Sequence, residues 1–122
     1  MKRSCYAMLV VLMLLTQACA SATPATQVTS IDPLVGKWTG TVKIGPRIDF
    51  IHLTIYPDRT LIAIWADITA RGTVTVSSGQ ASYQMSPPPQ EGSILLYTGK
   101  GKPQLYLENF MGSFAATVEP QE

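Results

Sequence analysis

Gly72-Thr73-Val74-Thr75-Val76-Ser77-Ser78-Gly79-Gln80-Ala81-Ser82-Tyr83-Gln84-Met85 is the stretch on which the fold turns. Val74 and Val76 alternate with threonine, and Tyr83 and Met85 alternate with polar residues. Successive side chains of a strand point to opposite faces, so a period of two marks a strand with one apolar face and one polar face. Between the two runs, Ser77-Ser78-Gly79 supplies a glycine where a tight turn needs positive φ. The stretch therefore predicts a β-hairpin of strands 71–76 and 80–85.

The same rhythm extends in both directions. Upstream, 36–44, 49–56 and 61–68 read as strands; downstream, 93–98, 104–108 and 113–118 do. Trp38, Gly40, Val42 and Ile44 share a face, as do Leu105 and Leu107, and Phe114, Ala116 and Val118. Pro57-Asp58-Arg59-Thr60 suits a type I turn, with proline presetting φ and aspartate bonding the backbone. Gly99-Lys100-Gly101-Lys102 is a second glycine turn, and 87–92, with three prolines, is a longer and stiffer loop. Strands repeating about every 11 residues, joined by short turns, imply pairing between sequence neighbours. Eight such strands tend to close, because closure removes the edges. The expected fold is all-β, a small antiparallel up-and-down barrel.

The hairpin at Pro57 holds the most informative pattern for function. If Ile55 pairs with Ile62, then Ile51, Leu53, Ile62 and Ile64 line the core. The opposite face then carries Phe50, His52, Tyr56, Leu61 and Trp65, with His52 across from Trp65 and Asp67 one step diagonal. Phe50, His52, Tyr56 and Trp65 are thus candidate contact residues for a ligand or partner. Should both sets prove buried, binding is to be sought at the 87–92 loop or the barrel mouth.

The first residues have a different composition. Lys2 and Arg3 precede an apolar run at 6–15, and small residues follow at 18–22. That is the layout of a signal peptide, too short to cross a hydrocarbon core of about 30 Å as an anchor helix. Leu15-Thr16-Gln17-Ala18-Cys19 resembles the bacterial lipobox, with Thr16 where leucine is usual. Ala18-Cys19-Ala20 or Ala20-Ser21-Ala22 would instead suit an ordinary signal peptidase, giving a periplasmic or secreted soluble protein. Cys5 would leave with the signal and Cys19 has no partner for a disulfide, which favours lipidation of Cys19. The expected organisation is a lipoprotein-type signal at 1–18, a flexible tether at 19–30 rich in Ala, Thr, Ser and Gln, the barrel at 31–118, and a polar tail at 119–122. The expected location is the cell envelope, with the membrane as partner through lipid on Cys19.

Leu34-Val35-Gly36-Lys37-Trp38-Thr39-Gly40 is similar to the Gly-x-Trp opening of lipocalin-like barrels. The resemblance implies that Trp38 plugs one end of the barrel, and makes Trp38 a candidate contact for a small apolar molecule. Ser77–Tyr83 is similar to the Ser-Gly-x-x-Tyr stretch of exported eight-stranded barrels that inhibit lysozymes. Here Gly79 and Tyr83 are one residue further apart, and the cysteines of those proteins are missing.

Chemistry is sparse. Nine Lys and Arg face eight Asp and Glu, a net charge of +1, so no field draws nucleic acid. His52 is the only histidine, and no Gly-x-Ser-x-Gly elbow accompanies it. Zinc-ligand spacing is absent, and Asp49, Asp58, Asp67, Glu91 and Glu108 are scattered. The sequence therefore reads as a non-catalytic binding module without metal or cofactor. Its partner would be a small apolar molecule or an envelope protein; the remaining alternatives are an inhibitor of an envelope-acting enzyme such as a lysozyme, or a structural envelope lipoprotein.

Overall fold

The computed structural model describes residues 24–99 and 101–121; the signal read at 1–18 and the lipidation candidate Cys19 lie outside the described residues. After a 3-10 turn at Asp32–Leu34, the chain forms β1 (Gly36–Ile44), β2 (Arg47–Ile55), β3 (Thr60–Trp65) and β4 (Ile68–Ser77). Then come β5 (Gln80–Ser86), β6 (Gln90–Tyr97), β7 (Gln104–Asn109) and β8 (Phe114–Pro120). Each strand pairs antiparallel with its sequence neighbour, and β1 pairs with β8 from Trp38↔Pro120 to Ile44↔Phe114 to close the barrel. This up-and-down closure is compatible with the lipocalin-like fold implied by the Gly36-Lys37-Trp38 opening.

Alternation decides which side chains enter. Val42, Ile51, Leu53, Ile55, Val74, Ile94, Leu96, Leu105, Leu107 and Val118 point inward and are buried. An eight-stranded barrel is just wide enough for side chains to fill it, and Trp38, Trp65, Tyr83 and Phe114 supply the bulk. Glycine appears where neighbouring strands come closest. A Cβ on Gly72 would fall 1.8 Å from the Gln84 carbonyl oxygen, and one on Gly40 or Gly92 would fall 1.9 Å from the Thr117 or Glu108 carbonyl. Such kinks let a coiled sheet curl tightly enough to close.

The register of β2 against β3 differs from the expectation. Ile55 pairs with Leu61, Leu53 with Ala63, Ile51 with Trp65 and His52 with Ile64. The cause is the turn between them. The Arg59 N–H donates to the Tyr56 carbonyl at 3.0 Å, and Arg59 itself has φ 72°. A type I turn closed by a left-handed residue makes a three-residue loop, 57–59, with the Tyr56 N–H on the Thr60 carbonyl at 2.9 Å, whereas the expected register needs a fourth loop residue. A one-residue slip moves every side chain of the strand to the other face. Hence Leu61, Ala63 and Trp65 are inside, while Ile62 and Ile64 face out.

The N-terminal segment read as part of a tether is docked from Thr26 on. The Thr26 N–H donates to the Leu96 carbonyl at 2.6 Å, beyond the point where β5 begins, and the Val28 N–H donates to the Gly79 carbonyl at 3.0 Å. Val28, Ile31 and Leu34 are buried. At the C-terminus, Glu119 and Pro120 belong to β8, and the Gln121 N–H donates to the Lys37 carbonyl at 2.9 Å.

Candidate functional site: the cleft end of the barrel

The strand directions give the barrel two distinct ends. One holds segment 24–35, the turn at 56–59, the turn at Ser78 and Gly79, and the 98–103 connection. Here Leu34 lies under the first strand, and the Trp38 indole N–H donates to its carbonyl at 2.9 Å. This is the plugged end.

The other end holds the turns at Gly45 and Pro46, at Ala66 and Asp67, at 87–89 and at 110–113. Asn109 organises the last of these. Its Oδ1 accepts from the Ser113 N–H at 2.9 Å and the Phe114 N–H at 3.2 Å, and its Nδ2 donates to the Ser113 Oγ at 2.9 Å. With its polar atoms satisfied inside the turn, Asn109 is only 9% exposed. The turn's apolar pair is left outside, Phe110 at 72% and Met111 at 89% exposure.

That pair forms one wall of a cleft of about 750 Å³. The rest of the lining comes from a strip running across β4, β5 and β6 at the same level, set by the pairs Arg71↔Ser86, Met85↔Gln90 and Gln84↔Glu91. Phe110 is held to this strip by its N–H, which donates to the Glu91 carbonyl at 3.1 Å. The cleft thus combines Phe110, Met111, Met85 and Pro89 with Arg71, Glu91 and Gln90. The Gln90 Oε1 is buried and accepts no hydrogen bond. Leaving such an acceptor unmet costs about 1–3 kcal/mol, which a donor from a bound molecule would offset once the Gln90 side chain turned toward the cleft.

The chain matches no family model, no curated protein and no solved structure.

The sequence candidates fall in three places. Trp38 is 4% exposed and sits within the plug, so it is a core residue that no external ligand touches without opening the end. Trp65 is corrected from surface to core: it is 2% exposed and packs edge-on against Phe114, ring centroids 5.4 Å apart at 62°. Its indole N–H, like the Tyr83 hydroxyl, is buried without a partner. Phe50 (80% exposed) and His52 do lie outside on β2, where Ile48 of the same strand and Ile64 of β3 join them in an apolar stripe. Tyr56 is exposed too, but at the turn of the plugged end, away from Phe50. Asp67 lies in the β3–β4 turn, and Ile64, not Trp65, stands across from His52.

Arg71, Gln90, Phe110 and Met111 were not among the candidates, although 87–92 and the barrel mouth were the fallback. Their signal is present in the sequence: Asn109-Phe110-Met111-Gly112-Ser113 places two large apolar residues in a turn, where polar residues are usual.

Burial pushes the Tyr83 hydroxyl well above the ordinary phenol value of 10.0, and the Glu108 carboxylate adds to the push. Tyr106 is raised as well, by burial first, then by the charge of Glu108 and a hydrogen bond with it, and last by Tyr97. Among the described residues no three His, Cys, Asp or Glu side chains gather as a metal site.

Proposed function

We propose that this domain is a non-catalytic binding module of the bacterial cell envelope, held at a membrane by lipid on Cys19, whose ligand seats in the cleft beside Phe110 and Met111. The observation that carries the reading is the meeting, in the lining of one concave site, of exposed apolar side chains and Gln90, whose buried Oε1 is unmet. Binding sites of this kind are mostly apolar, with a few polar groups that fix orientation. The barrel interior favours the mouth over the lumen, because two tryptophans, Phe114 and Tyr83 occupy it. The ligand class is a small amphipathic molecule: an apolar part for Phe110 and Met111, and a hydrogen-bond donor for Gln90.

Calorimetric titration with dodecyl maltoside, whose head donates hydroxyl hydrogens, and with laurate, whose head does not, tests this. Dodecyl maltoside should bind more tightly, and Phe110→Ala with Met111→Ser should weaken it about tenfold, or about 1.4 kcal/mol. Affinity unchanged by these substitutions removes the cleft as the site.

A second reading rests on a separate observation, the outward stripe of Ile48, Phe50 and Ile64. It suits a flat protein surface, as an inhibitor of an envelope enzyme such as a lysozyme would present. Inhibition that Phe50→Ala abolishes and Phe110→Ala spares would favour it.

A further inference from the structure

We infer that the barrel hangs from its membrane by the plugged end, so that the cleft opens away from the bilayer and takes its ligand from the aqueous compartment. This rests on the reading of Cys19 as the lipid-bearing residue.

The chain is first fixed to the barrel at Thr26. Thr26 bridges Leu96 in antiparallel sense, and its hydroxyl meets the Thr98 hydroxyl at 2.6 Å. β6 ends at Tyr97, so a chain running backwards from Thr26 leaves past the end of β6 and out of the plugged end. Seven residue steps separate Thr26 from Cys19. Seven steps span at most about 25 Å when fully extended. A strand of nine residues such as β1 rises about 3.3 Å per residue. Tilted by about 40°, it makes the barrel about 20–25 Å tall. Turning the cleft end onto the same bilayer would stretch the connection to its limit, whereas the plugged end, where the connection leaves the barrel, makes no such demand.

The barrel cannot easily lie down on its apolar stripe either. The chain leaves along β6, and Ile48 and Phe50 are on β2, four strands away in a ring of eight. That places the stripe on the opposite wall from the connection. Laying that wall on the bilayer would require the connection to pass around the barrel as well as down it. The exposed large apolar residues other than Tyr56 therefore face the compartment: Ile48, Phe50 and Ile64 on the far wall, Phe110 and Met111 at the far end.

The test uses the full chain, exported and processed in bacteria, then reconstituted in phosphatidylethanolamine–phosphatidylglycerol vesicles carrying a nitroxide headgroup quencher. Ser77→Cys and Asp67→Cys, both exposed, bracket β4, one at each end of the barrel. Each takes a fluorophore in turn. The label at position 77 should be quenched several-fold more than the label at 67, and ten Gly/Ser residues inserted after Ser21 should shrink the difference. Equal quenching, or stronger quenching at 67, overturns the orientation while leaving the lipid anchor intact. If the protein does not sediment with vesicles and Cys19 itself takes the label, the anchor reading fails, and the orientation falls with it.

Discussion

At one end of the barrel Val28, Ile31 and Leu34 fold beneath Trp38, and the indole N–H is tied to the Leu34 carbonyl. At the other, short turns cross the opening, Trp65 and Phe114 close the interior by edge contact, and Phe110 and Met111 stand in solvent. Both ends must keep water from the core, and they do so with different resources. The plugged end has a stretch of preceding chain to lay across it. The cleft end has only strand connections, so aromatic rings seal it from within, and the one longer turn there is free to project apolar side chains. An end sealed by added chain serves stability; an end sealed from inside leaves its rim available for contact.

The sharpest break in this comparison would come from the two tryptophans. If both ends are equally closed, Trp38→Ala and Trp65→Ala should each destabilise by about 3–5 kcal/mol. That is a large share of the stability of a small domain, and urea unfolding would measure it. A loss below about 1 kcal/mol for Trp65 alone would mean that solvent already reaches the cleft-end interior.

Next in size is the wall between the ends. Gly72 faces inward where β4 and β5 press together, and its missing side chain is what permits the approach. Gly72→Ala must force the Gln84 carbonyl to move, at a cost of about 1–3 kcal/mol. Since Gly72 also lines the cleft, dodecyl maltoside affinity should fall with it. At the plugged end, Val28→Ala removes two buried methyl groups, about 1.6 kcal/mol, and should leave that affinity unchanged. Equal effects of the two substitutions on binding would erase the functional difference between the ends.

How much of this was legible in the sequence follows the same division. The barrel was, because period-two alternation and short turns are local signals: β1 is read at Gly36–Ile44 from Trp38, Gly40, Val42 and Ile44 alone. The register of β3 was not. It depends on Arg59 adopting φ 72°, a conformation that glycine or asparagine would have advertised and arginine conceals. That one residue exchanges Trp65 for Ile64 on the outer wall, and with it the composition of the expected patch. The strap at Thr26 and Val28 was hidden for another reason. A run of Ala, Thr, Gln and Pro shows no pattern of its own, and it is ordered by the ladder position that β6 leaves open beyond β5. The cleft needs β4, β5, β6 and the 110–113 turn together, a relation across nearly 40 residues that no local period encodes.

Smaller effects test the rim. Phe110→Ala should change the unfolding midpoint little, by about 0.5 kcal/mol or less, because a ring 72% exposed leaves no cavity behind. Its effect on dodecyl maltoside affinity should be the larger one. A clear loss of stability would mean that Phe110 packs as part of the seal, and the two ends would then differ only in how they are built.

The smallest expected effect lies at the turn of the plugged end. The Asp58 Oδ1 accepts from the Thr60 hydroxyl at 2.6 Å and from the Thr60 N–H at 3.0 Å. These two bonds, the hydroxyl first, hold the carboxyl below its ordinary value of 3.8. Both favour the charged form, so the folded protein gives up this proton more readily than the unfolded chain. The contribution to stability is therefore fully present above the unfolded value and disappears as the pH falls through the folded one. The group is fully exposed, so water and salt keep the contribution small. Site-resolved NMR titration of the carboxyl should give a midpoint below 3.8, and Thr60→Ala, which deletes the stronger of the two donors, should bring it back upward. A midpoint that does not move in Thr60→Ala would mean the turn is held by the Arg59 and Tyr56 backbone bonds alone. The left-handed Arg59 that sets the β2–β3 register would then owe nothing to the aspartate before it.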